Sequence, residues 1–187
     1  MRLQAVYDYA HMDMNAPAET APIANILSWE QIEAFRVAYK GAEDTEQSML
    51  KLTAKALAGP YPPAGVLGGA VSDQFYDPQR FSPREREEVI LSVLAPKTAG
   101  SGLTLAVHQY WALMVGMSVV EIADLFLLVG YYDGISTYST SIFTFQNVLR
   151  AMKDQIEHHP DKIAPKDVLG LLLSALTAPS TAARPAT

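Results

Sequence analysis

The stretch that decides the fold is SPREREEVILSVLAPKTAGSGLTLAVHQYWALMVGMSVVE, residues 82–121. It opens with Ser82-Pro83-Arg84-Glu85, in which serine caps a helix and proline fits the first helical position. Glutamate at the third position completes a capping box by bonding back to the serine backbone. Ser118 and Glu121 repeat the serine–glutamate capping box, shortly after a helix-ending Gly116. The spacing predicts helices over 83–94 and 100–115 and a third opening after Ser118, with the second and third forming a tight antiparallel hairpin.

The same start and stop signals predict further helices on both sides of this stretch. Upstream, a capping box at Ser28 predicts a helix over 29–39, and a helix opening at Asp44 or Thr45 ends at Gly59-Pro60, before a loop over 60–69. Downstream, a break at 131–134 precedes a long amphipathic helix over 136–157 and a short one over 165–176.

Strand signals are nearly absent, so the sequence predicts an all-α bundle of about seven to eight helices. The chain has 187 residues, of which 49% are hydrophobic, enough for one well-buried domain. We expect residues 1–27 to form an N-terminal extension, 28–176 a single domain and 177–187 a mobile tail, because that tail has too little apolar content to fold.

Charge and hydropathy exclude several classes of partner. The formal net charge is −6 and the basic residues are dispersed, which disfavours nucleic acid and anionic membrane surfaces as partners. The most apolar stretch, 122–132, is interrupted by Asp124 and is far shorter than the ~20 residues that span a bilayer. The start of the sequence lacks the pattern of a secretory signal, so we expect a cytoplasmic protein.

The chain contains no cysteine, which excludes disulfides, thiolate nucleophiles, dithiol redox chemistry and cysteine-based zinc sites. Two of its four histidines, His158 and His159, are adjacent and would diverge on a helix, which is poor geometry for a shared metal ion. We therefore expect neither a metal site nor another cofactor.

One polar stripe on the predicted helix 100–115 is the candidate site. Ser101, Thr104, His108 and Trp111 follow one another at helical spacing and share a face. An imidazole exchanges protons near neutral pH, and neighbouring hydroxyls can orient it or hold a substrate oxygen. A hydrogen-bonded core histidine is the competing interpretation of the same pattern.

The series Ser82 to Leu91, Ser101 to His108, Gly116, Glu121 and Gly130-Tyr131-Tyr132 resembles the carboxymuconolactone decarboxylase and AhpD-like family. The resemblance covers about residues 81–148 and implies an AhpD-like helical bundle that assembles as a trimer or hexamer, with the helix over 136–157 as our candidate interface. Peroxidatic members carry a Cys-x-x-Cys pair where this chain has Ser101 and Thr104. Thiol-dependent hydroperoxidase activity is therefore excluded.

The resemblance also implies a carboxylate partner for His108 on the preceding helix. Glu88 is the expected counterpart, with Glu87 as its competitor, since Val89, Ile90 and Val93 mark an apolar side that leaves Glu88 near the margin. A carboxylate would fix the imidazole tautomer while the imidazole moves a proton. Ring walls and hydrogen-bond donors for a substrate would come from Trp111 and Tyr131.

The expected function is a cofactor-free lyase or isomerase acting on a small organic acid or carbonyl compound. Many non-redox members of the family carry a glutamate where this chain has Thr104, and a threonine cannot serve as a carboxylate base. This departure favours a related reaction, such as cyclisation, dehydration or isomerisation of a β-keto acid, over the lactone decarboxylation itself. A ligand-binding or assembly protein that kept the fold and lost the chemistry is the alternative.

Overall fold

The computed structural model describes residues 23–40, 66, 76–77 and 80–177, without the side chains at 98–101 and 175–177. Within this part of the chain there are helices and no strand, which confirms the all-α class. A 3₁₀ turn, Ala95–Lys97, joins the second helix to the third. The α-helices are α1 (Trp29–Tyr39), α2 (Pro83–Leu94), α3 (Thr98–Met114), α4 (Val119–Asp133), α5 (Ile135–His158) and α6 (Pro165–Thr177).

The predicted helices that fall on the described residues are confirmed, with ends that differ by two residues or fewer except in α4, which continues through most of the predicted break at 131–134 to Asp133. The helix predicted from residue 44 or 45, almost all of the loop over 60–69, most of the N-terminal extension and nearly all of the tail lie outside the described residues. The total of seven to eight helices and the division into domains therefore stay predictions. None of the described helices is long and apolar enough to cross a membrane.

Three serine capping boxes start α1, α2 and α4, as the sequence predicts. In α4 the Ser118 hydroxyl accepts from the Glu121 amide, and the Glu121 carboxylate accepts from the Ser118 amide. Glu121 also accepts from Arg84 of α2, with Nη2 and Oε1 2.7 Å apart. The hydrogen bond from Arg84 is the main reason that the pKa of Glu121 falls to about 2. One ionised carboxylate thus caps α4 and ties it to α2.

The third helix is the centre of the bundle, because α3 packs against α1, α2, α5 and α6. Its residues are apolar on nearly every side, and a helix of this kind has to be surrounded. The tight hairpin predicted for α3 and α4 is wrong, since these two helices contact each other little and α4 packs mainly against α5. The buried residues of α3 are Leu105, Ala106, Gln109, Tyr110, Trp111, Ala112, Leu113 and Met114.

The C-terminal end of α3 is closed by its own backbone and by a side chain from α1. Gly116 takes a φ of +104°, a conformation that favours glycine, and the amides of Gly116 and Met117 donate back to the carbonyls of Leu113 and Ala112. Arg36 then donates from Nε to the Leu113 carbonyl at 2.8 Å and from Nη2 to the Met117 carbonyl at 3.1 Å. These bonds fix α1 against the end of the central helix.

The closest approach between α4 and α5 occurs at Gly130. A Cβ atom added there would lie 2.5 Å from the Cβ of Tyr138, closer than two carbon atoms can pack. Gly134, with a φ of +113°, makes the sharp turn that brings α5 back across α4. The two glycines therefore set how closely these helices cross.

We predict that Gly130→Ala lowers the free energy of unfolding by about 1–3 kcal/mol, because the new methyl group forces α4 and α5 apart. Gly170→Ala is the matched control, since no atom lies within 4 Å of a Cβ built at that helical position. The control should be neutral or stabilising by up to about 1 kcal/mol. Urea unfolding monitored by circular dichroism measures both variants, and equal stability of the two would contradict the close crossing.

Candidate active site

A buried carboxylate from α2 meets the histidine of α3. Glu87 Oε2 lies 2.9 Å from His108 Nδ1, and the Glu87 side chain is 0% exposed. The His108 side chain is 14% exposed, so the imidazole lies between the interior and the surface. A buried ionised carboxylate accepts from Nδ1–H and thereby fixes which nitrogen of the ring carries the proton.

The structure corrects which glutamate takes this place. Glu88, the expected partner of His108, lies on the outer side of α2 and pairs with Arg84 at 3.1 Å instead. One residue rotates a helix by about 100°, so only one of two adjacent glutamates can face α3. Glu87 is that residue, the alternative that the sequence left open.

The expected apolar side of α2 was also wrong, and this explains the choice of glutamate. Val89 and Val93 are exposed, whereas Leu91 and Ala95 are completely buried together with Glu87. Glu87, Leu91 and Ala95 recur every four residues and so share one helical face. That spacing was present in the sequence, but the β-branched residues between them suggested a different face.

Arg86 is a member of this cluster that the sequence analysis missed. It is buried, its Nε lies 3.9 Å from Glu87 Oε1, and its guanidinium carbon lies 4.2 Å above the ring of Tyr76. The Glu87 carboxylate therefore has a cation on one side and an imidazole on the other. Arg86 is one of five consecutive charged residues, REREE at 84–88. Nothing in the sequence therefore marks it as buried.

The remaining predicted site residues differ in how they relate to His108. The Trp111 ring meets the imidazole edge to face, with centroids 5.0 Å apart, and is almost fully buried. Thr104 is exposed one turn before His108. Ser101 lies in α3, but its side chain is outside the described residues.

Tyr131 does not join this cluster among the described contacts. Its ring is 82% exposed on α4, and it contacts the ring of Tyr132 with centroids 5.3 Å apart. The structure thus brings together Glu87, His108 and Trp111, with Arg86 behind the carboxylate.

The chemistry available to this cluster is proton transfer. With Nδ1 engaged by Glu87, the imidazole exchanges a proton through Nε2, and the carboxylate stabilises the imidazolium that forms. In the part of the chain that the structure describes, no three His, Asp or Glu side chains are placed to hold a metal ion.

Comparisons with protein-family models, curated proteins and solved structures find no match to this chain. The similarity to the AhpD-like family therefore rests on the residues quoted in the sequence analysis alone.

We predict that Glu87 and Glu88 differ sharply in their contribution to stability. His108→Ala leaves the buried Glu87 carboxylate without its imidazole partner and should lower the free energy of unfolding by about 3–5 kcal/mol. Glu88→Ala removes only an exposed ion pair within α2 and should lower the free energy of unfolding by about 0.5 kcal/mol or less. Denaturant unfolding of these two variants and of Glu87→Ala measures the difference; a large effect of Glu88→Ala with a small effect of Glu87→Ala would contradict the assignment.

Proposed function

We propose that this chain is a cofactor-free lyase or isomerase in which His108 transfers a proton and Glu87 positions the imidazole. The observation that carries the proposal is the 2.9 Å contact between Glu87 and His108 Nδ1, made by a fully buried carboxylate to a ring that retains some exposure. Membership of the AhpD-like family is part of this proposal and is supported by the sequence resemblance. The absence of cysteine from the chain removes thiol chemistry from the choices.

The proposed reaction uses His108 as both base and acid. In an isomerisation, Nε2 removes a proton from the carbon next to a carbonyl group, and the imidazolium returns a proton to a different atom, so that no net proton is consumed. In a decarboxylation, the carbon–carbon bond to the carboxylate breaks as carbon dioxide, and the imidazolium protonates the enolate carbon that remains. In both, Glu87 holds the imidazolium in place through Nδ1–H.

The surroundings of His108 support a substrate that carries an oxygen atom. The Trp111 ring is almost fully buried and packs edge to face against the imidazole, with centroids 5.0 Å apart, so it steadies the ring of His108. Thr104, exposed one turn away on the same helix, is available to hold a substrate oxygen. These contacts suit a small organic acid or a β-keto acid, the substrate class that the sequence predicts.

We predict that His108→Gln lowers kcat/KM by about 10²–10⁴-fold on a responsive substrate, the usual contribution of general acid–base catalysis. The panel consists of β-keto acids, lactone acids and aromatic polyketides, followed by product detection. Glu87→Gln should lower kcat with a smaller change in KM, because it disturbs the imidazole and not the substrate contacts.

His158→Gln is the matched histidine control, since His158 is exposed on α5 and pairs with Asp154. It should leave turnover unchanged. Turnover by His108→Gln equal to that of the wild type, with the fold retained, would remove His108 from the mechanism.

An assembly role is the second candidate, and an exposed apolar surface on α4 and the start of α5 favours it. Large hydrophobic side chains stand exposed there, a feature that marks interaction sites on proteins. We propose that a second copy of the chain covers this surface, within a homotrimer or hexamer. The surface consists of Val120, Leu127, Leu128, Tyr131, Tyr132, Ile135 and Phe143.

We predict that Tyr131→Glu/Tyr132→Glu reduces the assembly to a monomer, because two charges cannot be buried without partners in an apolar interface. Val37→Glu is the control, since Val37 is also strongly exposed, at 72%, but lies on α1, outside this surface. Light scattering at micromolar concentration measures the mass. A monomeric wild type would overturn the assembly proposal and leave the catalytic proposal standing.

A further inference from the structure

A cleft of about 390 Å³ opens between the end of α1, the start of α2 and the end of α3. This volume lies within the ~300–1,000 Å³ of ordinary small-molecule sites. His108 and Glu87 are not among the residues that line it, so the cleft is distinct from the proposed proton-transfer site.

The polar lining of the cleft is strongly basic. Arg36, Lys40, Arg84 and Arg86 line it, and no acidic side chain does so among the described residues. The start of α2 also lines the cleft through Ser82 and Pro83, where the Glu85 carboxylate accepts from the Ser82 amide and hydroxyl. The donors that this lining offers to a ligand are guanidinium and ammonium groups, which bind oxyanions.

The carboxylates that neutralise these cations lie outside the lining. Glu33 pairs with Arg36, Glu88 and Glu121 pair with Arg84, and Glu87 lies 3.9 Å from Arg86. Lys40 is exposed, lines the cleft and has no ion-pair partner among the described residues. Arg84 donates from Nε to Glu88 and from Nη2 to Glu121, so three of the five N–H donors of its guanidinium, two of them on Nη1, remain for an oxyanion.

The rest of the cleft is apolar. Met114 and Val115 from the end of α3, the ring of Pro83 and the ring of Tyr39 supply walls of carbon. An inorganic ion would leave these walls uncovered, whereas a molecule with an apolar body would contact them and remove them from water. The two parts of the lining together favour an amphipathic anion.

We propose that this cleft binds a small organic oxyanion, a carboxylate or phosphate group carried on an apolar body. The anionic group lies against Arg84 and Lys40, and the body lies against Met114 and Val115. This site does not depend on proton transfer by His108.

The test is isothermal titration calorimetry of the full chain with four probes: 2-naphthoate, 2-naphthyl phosphate, neutral 2-naphthamide and inorganic phosphate. The two naphthyl anions should bind, and the tighter of them should bind at least about tenfold more strongly than the amide and than inorganic phosphate. Comparison of the two anions identifies the preferred head group. Binding of the amide as tight as that of both anions, or no binding of either anion, would overturn the proposal.

Variants locate the site. Lys40→Ala should weaken binding of the tighter anion by about two- to fivefold, the contribution of one exposed ion pair, and Lys166→Ala, an exposed lysine on α6, should not. Arg84→Gln/Glu88→Gln/Glu121→Gln removes the arginine together with both of its carboxylate partners, so a loss of affinity reports the missing donor rather than a released negative charge. Equal effects of Lys40→Ala and Lys166→Ala would place the binding elsewhere and contradict the proposal.

His108→Gln separates this site from the proposed function. It should retain the wild-type affinity for the naphthyl anion whether or not the chain is an enzyme. Loss of binding in this variant, with circular dichroism showing a retained fold, would mean that the anion occupies the His108 site and would overturn a separate cleft.

Discussion

The burial of the Glu87 carboxylate is the constraint on which the arrangement of α2 and α3 depends. Taking an ionised group out of water costs several kcal/mol, and the cost is offset only by well-placed partners. His108 and Arg86 are these partners. Any rotation of α2 that placed its valines against the core would expose Glu87 and break both contacts. A polar pair, rather than the most hydrophobic residues, therefore fixes how this helix is turned.

The central helix is held by polar contacts with three neighbouring helices, one of which is the buried hydrogen bond from Gln109 Nε2 to the Ser141 carbonyl of α5 at 3.1 Å. Glu87 reaches His108 in the middle of α3 from α2, and Arg36 reaches the Leu113 carbonyl at its end from α1. Hydrophobic packing alone is tolerant of small rotations and shifts, whereas a hydrogen bond has a narrow range of distance and angle. These contacts thus specify the position of α3 within a largely apolar core, which is a requirement for a site that has to hold an imidazole in one orientation.

How far the sequence predicts this structure depends on whether the signal is local. The boxes at Ser28, Ser82 and Ser118 involve residues three positions apart, so the helix starts could be read directly. Which face of α2 is buried could not be predicted in this way, because it depends on His108 of α3, 21 residues beyond Glu87 in the chain. The shared face of His108 and Trp111 was predictable from helical spacing; the burial of Arg86 depends on Tyr76 and Glu87 together and has no local signal.

Arg86 connects the pair of Glu87 and His108 to the basic cleft. Its guanidinium lines the cleft and lies 3.9 Å from the carboxylate that holds His108. At an effective dielectric constant of about 20, two unit charges at this distance interact by about 4 kcal/mol, so the cation contributes substantially to the field at Glu87. The proposed anion lies against Arg84 and Lys40, so it leaves the contact between Arg86 and Glu87 in place. The two regions have different lining residues and are adjacent through one buried cation.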